Sequence, residues 1–219
     1  SYYWSFEILN DYVRYFVNED GSKLVSDADK TFIRTKLNAL QQEFYRDFVS
    51  MDALTSAANA RSLATQNGAQ MAEKAQKTAQ ALISYVQGSA ALSRADAVYS
   101  LWLAAGSPKA KTASMPFKDV STGAYFYDAV LWAAEKGIVS GVSSDTFAPD
   151  AVCTRAQAAV MAYRLSRSPA VEGESFSDVT AGSFYEDAAL WAKNEGLVTG
   201  DTFNPTAACT KAQLDAFAK

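Results

Sequence analysis

Phe117-Lys118-Asp119-Val120 and Phe176-Ser177-Asp178-Val179 open two stretches of the chain that stay in step almost to its end. The correspondence runs through Asp128/Asp187, Leu131-Trp132-Ala133/Leu190-Trp191-Ala192, Gly137/Gly196 and Gly141/Gly200. Val142 to Ser144 have no counterpart, and the match resumes at Asp145-Thr146-Phe147/Asp201-Thr202-Phe203, Pro149/Pro205 and Cys153-Thr154/Cys209-Thr210. Further upstream, Leu92-Ser93-Arg94-Ala95-Asp96-Ala97 aligns with Cys153-Thr154-Arg155-Ala156-Gln157-Ala158 and supplies the second half of a third, partial copy. A repeat of about 56–61 residues is the scale of a supersecondary unit that must bury its apolar face against its neighbours.

Each full copy reads as helix, loop, helix. Phe126, Ala129, Val130 and Ala133 share one face at helical spacing, and Gly137 suits the position just past the helix end. Gly141 to Pro149 forms a loop held by Phe147. A second helix runs from Thr154 to about Leu165 with Val160, Met161 and Leu165 as its apolar stripe. Thr154 with Gln157, and Thr210 with Gln213, have capping-box spacing. Segments rich in breakers separate the copies, from Gly106-Ser107-Pro108 to Met115-Pro116 and from Ser168-Pro169 to Ser175.

These linked elements resemble the S-layer homology motif: F-x-D-V, W-A-x-x-x-G-[IL]-V-x-G, D-T-F-x-P and T-[RK]-A-Q, over about residues 91–219. The resemblance implies an all-α fold in which three helix-loop-helix repeats pack with pseudo-threefold symmetry. It implies a module that holds exported proteins on bacterial cell walls by binding a secondary cell-wall polysaccharide, often pyruvylated and hence anionic. The family's usual T-R-A-E closing motif reads here Ser93-Arg94-Ala95-Asp96, Thr154-Arg155-Ala156-Gln157 and Thr210-Lys211-Ala212-Gln213. The domain reading is residues 1–67 as a helical N-terminal region without an assigned role and 68–219 as the repeat domain. Within the latter the partial copy covers about 68–106, copy two 117–166 and copy three 176–219.

The N-terminal ninety residues lack the repeat. Tyr2 to Val17 is dense in aromatics, and Asn18 to Ser22 breaks it. Asp27 to about Val49 is a strong helix, with Phe32, Ile33, Leu37, Leu40, Phe44 and Phe48 on one side. Met51 to Gln87 is alanine-rich and interrupted at Asn67-Gly68. Ala81 to Gly88 sits where copy one needs its first helix, so this segment is expected to complete the threefold core.

The candidate binding residues follow from the repeat. Arg94, Arg155 and Lys211 occupy the first position of their helices, where a cation meets the positive end of the helix dipole. An anion shared between each cation and the free helix N–H groups resolves that conflict. The alternative is an internal ion pair to Asp119 or Asp178. Groove rims come from Asp119, Asp178, Trp132, Trp191 and the Gly141 and Gly200 loops. The tryptophans, Phe147 and Phe203 also fit the core. Cys153 and Cys209 align with Leu92, so they read as buried thiols serving as small hydrophobes rather than as a bridge or metal ligands.

Composition narrows the function classes. The 219 residues are 49% apolar, enough for a real core. Twenty-four acidic against 20 basic residues give a net charge of −4, which disfavours nucleic acid as a partner. With no histidine, the usual serine and cysteine triads and imidazole zinc sites are absent. Glu186-Asp187 carries no sign of a glycosidase pair, and Asn18 to Gly21 lacks EF-hand spacing. No apolar run approaches the roughly 20 residues of a membrane helix. The start at Ser1, without methionine, fits a processed product or an expressed piece with any export signal out of view, and the short last helix fits a chain that continues. The resulting expectation is a non-catalytic, cofactor-free module anchoring an exported protein at the bacterial cell surface. The alternative is a helical assembly protein whose aromatic residues 1–67 self-associate or pack on a partner.

Overall fold

The computed structural model describes residues 26–54, 57–111 and 114–219; of residues 44–67 only the backbone is described. The aromatic segment 2–17 and the turn at Asn18 to Gly21 lie outside the described residues, as do the side chains of Phe44 and Phe48. Seven helices are present among the described residues: α1 Asp27–Leu54, α2 Ala57–Gln87, α3 Arg94–Ala104, α4 Tyr127–Glu135, α5 Arg155–Leu165, α6 Glu186–Asn194 and α7 Lys211–Phe217. Extended pairing there is limited to isolated bridges, so the fold is all-α.

The chain divides into two compact units, Ser1–Val86 and Gln87–Lys219. This boundary lies inside the segment expected to belong to copy one. In the first unit α1 buries Phe32, Ile33, Leu37 and Leu40, and α2 buries Met71, Ala75, Ala79, Leu82 and Tyr85 at helical spacing. The Phe32 and Tyr85 rings stack with centroids 3.8 Å apart, and Lys74 pairs with Glu43 on the neighbouring helix. The interruption expected at Asn67-Gly68 does not occur, for α2 passes straight through it. A single interior glycine costs a helix about 1 kcal/mol and does not by itself stop one.

The second unit closes on itself through backbone hydrogen bonds that repeat three times. Leu92 N donates to Cys209 O (3.0 Å), Cys209 N to Cys153 O (2.8 Å) and Cys153 N to Leu92 O (2.9 Å). The three equivalent residues of the copies thus form a ring, which defines the pseudo-threefold axis. Cys153 and Cys209 stand on this ring, fully buried and free. A second ring links the first residue of each second helix to the next copy's loop: Arg94 N to Ala151 O, Arg155 N to Ala207 O and Lys211 N to Ala90 O, all 2.8–2.9 Å. A third does the same one residue on, from Ala95, Ala156 and Ala212 to Pro149, Pro205 and Gly88. Copy one enters these rings through Gly88 to Ala95 and has no counterpart of the Gly141–Pro149 loop. Gly88, at φ +83°, takes the place of Pro149 and Pro205, and a Cβ there would lie 2.9 Å from Ala212 Cβ.

Around the axis, the second helix of one copy packs on the first helix of the next: α3 on α4 and α5 on α6, with α5 also against α7. Helices α4 and α6 end alike. Gly137 and Gly196 adopt φ +69°, and the N–H groups of Ile138 and Leu197 reach back to Ala133 and Ala192.

Candidate functional site

Each repeat loop is gripped from both sides at a single peptide. Within copy two, the Asp119 carboxylate accepts from Phe147 N and Ala148 N, both at 2.8 Å. From copy one, Arg94 Nε donates to Phe147 O at 2.8 Å, and its guanidinium lies 4.8 Å from the Phe147 ring centre. Copy three repeats the arrangement. Asp178 accepts from Phe203 N and Asn204 N, while Arg155 Nε donates to Phe203 O and sits 5.2 Å over the Phe203 ring. Phe147 and Phe203 are fully buried, so this peptide joins one copy's core to the next copy's helix. The aspartates also hold Ala148 and Asn204 in the left-handed region, at φ +57° and +56°. Burial, the largest influence on each carboxyl, raises its pKa, but the loop amides together outweigh it and hold both below the usual aspartate value.

This geometry corrects two expectations. The helix N–H groups are not open to an anion. The first two of α3, α5 and α7 are taken by loop carbonyls, and the third by the side chain of Ser93, Thr154 or Thr210. Nor do the arginines pair with Asp119 or Asp178, because acid and base hold opposite ends of the same peptide. Lys211 shares the first pattern through its N–H and departs from the second. Copy one has no D-T-F-x-P loop to offer it, and the lysine, 5% exposed, pairs with Asp215 at 2.6 Å. Trp132 and Trp191 are core residues, 4% and 5% exposed, leaving no ring face for a sugar. Gly141 is required by packing, since a Cβ there would come within 2.5–2.7 Å of Ser143 O, Phe117 Cε1 and Thr146 O. Gly200 needs only its positive φ of +92°, with open space where a Cβ would be.

Of the expected site residues, the structure brings Arg94 and Gly141 together. They line a groove of about 390 Å³ with Gln157, Val160, Met161 and Arg164 from α5, residues 138–142 and Phe184 of copy three. A second hollow of about 480 Å³ shares Val139, Ser140 and Arg164 with it. No acidic residue lines either one, although the chain carries an excess of acids. Beyond its bond to Phe147 O, the Arg94 guanidinium has no hydrogen-bond acceptor among the described residues. Burial pushes its pKa down, with Cys153 and Asp119 opposing, and an arginine stays charged through such shifts. Among the described residues the Arg164 guanidinium makes one hydrogen bond, a long 3.4 Å contact to Ile138 O. The sequence carried a signal for it: Gln157, Met161 and Arg164 are spaced on one face of α5.

Burial raises the Cys153 thiol to about 11 and the Cys209 thiol to about 12, which keeps both protonated near neutral pH. Among the described residues there is no cluster of acids and cysteines able to hold a metal ion, and no helix long and apolar enough to cross a membrane.

Comparison with a protein-family model bears on the same half of the chain. Residues 116–159 and 175–214 match the family model of the S-layer homology domain. A stretch of 95 residues, 40% of this chain, is 33% identical to a surface-layer 125 kDa protein of Lysinibacillus sphaericus. That stretch covers 8% of the relative's length.

Proposed function

We propose that this chain, which carries S-layer homology domains at 116–159 and 175–214, anchors an exported protein to an anionic secondary cell-wall polysaccharide at the bacterial surface and does so without catalysis. The observation that carries the reading is the groove beside α5. Two guanidinium groups, Arg94 and Arg164, line it without a carboxylate, in a protein of net charge −4. Arginine grips a carboxylate or phosphate with parallel N–H bonds, so a pyruvylated or phosphorylated wall polymer matches the lining. The fixed loop supports the site: the Asp119 and Arg94 grip on Phe147 sets the position of the backbone from Gly141 to Pro149. In this reading Arg155, Lys211, Asp119, Asp178, Trp132, Trp191 and Gly200 build the frame, while Arg94 and Gly141 serve frame and groove together. The likeness of 95 residues to a surface-layer 125 kDa protein supports an anchoring role at the cell surface.

The test is sedimentation with purified Gram-positive sacculi, before and after acid removal of the secondary polysaccharide. The protein is expected to pellet with intact sacculi and to stay in solution with stripped ones. Equal pelleting with both would overturn the reading.

A further inference from the structure

The two linkers between copies occupy equivalent corners of the second unit and carry opposite charge. They leave their helices alike: Trp102 Nε1 donates to Pro108 O and the Tyr163 hydroxyl to Pro169 O, both at 2.8 Å. Each is then tied to the end of the next helix. Lys111 N donates to the two carboxylate oxygens of Glu135, at 2.9 and 3.0 Å. Asn194, the counterpart of Glu135, donates through Nδ2 to Glu172 O at 3.1 Å. Lys111 and Glu172 therefore hold equivalent places, as do Lys136 and Glu195, which cap α4 and α6. Lys109 extends the first corner and Glu174 the second. All six residues are exposed, and none enters an ion pair among the described residues. The countercharge in each corner, Glu135 or Lys193, is turned onto linker backbone. Nor does the acidic corner serve its own helix. A cation suits the C-terminal end of a helix and a carboxylate does not, so Lys136 is favoured on α4 and Glu195 disfavoured on α6.

We propose that the basic corner of one molecule, Lys109, Lys111 and Lys136, docks on the acidic corner of a second copy of this chain, Glu172, Glu174 and Glu195. Because the corners share one backbone arrangement and differ in sign, the lysines of one meet glutamates spaced as they are themselves. The contact is head to tail. A molecule engaged through one corner keeps the other for a further neighbour, so association closes into a ring or continues as a row. Exposed ion pairs are individually weak and screened by salt. The contact is accordingly weak between molecules free in solution and strengthens where many are held side by side on one surface. The inference stands on the linkers and is independent of the groove.

The experiment is sedimentation equilibrium of the whole chain over a range of concentrations, in low salt of about 20 mM and again in about 500 mM, where charges are screened within a few ångströms. The average mass is expected to rise with concentration in low salt and to rise less in high salt. Two charge reversals follow, Lys111→Glu with Lys136→Glu, and Glu172→Lys with Glu195→Lys. Each is expected to weaken self-association about tenfold or more, since like charges then meet. A mixture of the two variants is expected to associate again, as is the chain carrying all four substitutions. A chain that stays monomeric in low salt, association indifferent to salt, or association that survives either reversal would each overturn the proposal. So would a mixture of the two folded variants that fails to recover association. Melting curves of the variants, expected within a few degrees of the parent at these exposed positions, establish that they are folded, and the salt comparison on the unsubstituted chain decides the matter without them.

Discussion

Copies two and three present a complete loop to the preceding helix, whereas copy one presents only Gly88 to Ala91. In the complete seams the peptide that joins Phe147 to Ala148, or Phe203 to Asn204, is held at its N–H by an aspartate and at its carbonyl by an arginine. In the truncated seam the backbone rings survive, through Gly88 O and Ala90 O, but the side-chain grip is gone and Lys211 turns to Asp215. The difference shows that the backbone rings define the threefold closure, and that the aspartate and arginine serve the loop. It also accounts for the lysine: without a loop carbonyl or a phenylalanine face to meet, a planar guanidinium loses its advantage over an ammonium group.

The comparison breaks most severely if the rings are cut. A fragment beginning at Leu92 lacks the carbonyls that receive Lys211 N and Ala212 N, and it is expected to lose its cooperative melt. A fragment beginning at Gly68 is expected to keep it. Calorimetry of both, with one beginning at Gln87, also tests whether Ala81–Gln87 completes copy one. That expectation requires the Gln87 fragment to melt below the Gly68 fragment.

Next in size is the aspartate grip. Asp119→Ala leaves two loop amides without their acceptor, at about 1–3 kcal/mol each before relaxation, and denaturant titration is expected to find a loss of about 2–4 kcal/mol in all. Because Asp119 and Asp178 are held below their ordinary pKa, their stabilisation is complete above the unfolded value near 4. It is lost as pH falls through the folded values. Melting curves from pH 6 down to pH 2 are expected to show a smaller acid loss in Asp119→Asn than in the parent, since the amide has no charge to lose.

The arginine comparison follows. Arg155→Ala removes a charge-assisted bond to Phe203 O and a cation–π contact, at about 2–4 kcal/mol. Lys211→Ala removes a pair whose aspartate is 56% exposed, so solvent screening limits its worth to about 1 kcal/mol or less. Equal losses in the two would show that the loop grip adds nothing to the truncated seam's arrangement. The smallest effect is expected on the axis. Copy one already carries leucine there, so Cys153→Val is expected to cost under about 1.5 kcal/mol. The parent should show two titratable thiols only after denaturation.

Helix ends and repeat register were legible in the sequence because caps and glycines have local signatures. The capping boxes at Thr154/Gln157 and Thr210/Gln213 form as their spacing requires. The partners of Arg94 and Arg155 were not legible, since an arginine bonded to a backbone carbonyl leaves no mark on the residue that supplies it. Carboxylates in copies two and three made an ion pair the alternative to a bound anion, yet the loop amides claim them first. Trp132 and Trp191 were ambiguous between core and site because helical spacing places a ring on a face without saying what covers that face. Arg164 went unread because it follows the closing motif by a full two turns, and only the fold carries it back beside Arg94.

The central claim is that an anionic polymer binds at the groove and not at the frame. Arg164 separates these, since it lines the groove and, among the described residues, its guanidinium makes one hydrogen bond, a long one to Ile138 O. Sacculus binding and melting temperature should be measured together for Arg164→Gln. Loss of a charge-assisted contact is expected to lower affinity roughly ten- to a hundredfold, with the melting temperature within a few degrees of the parent. Unchanged sacculus binding by a folded Arg164→Gln protein would contradict the account.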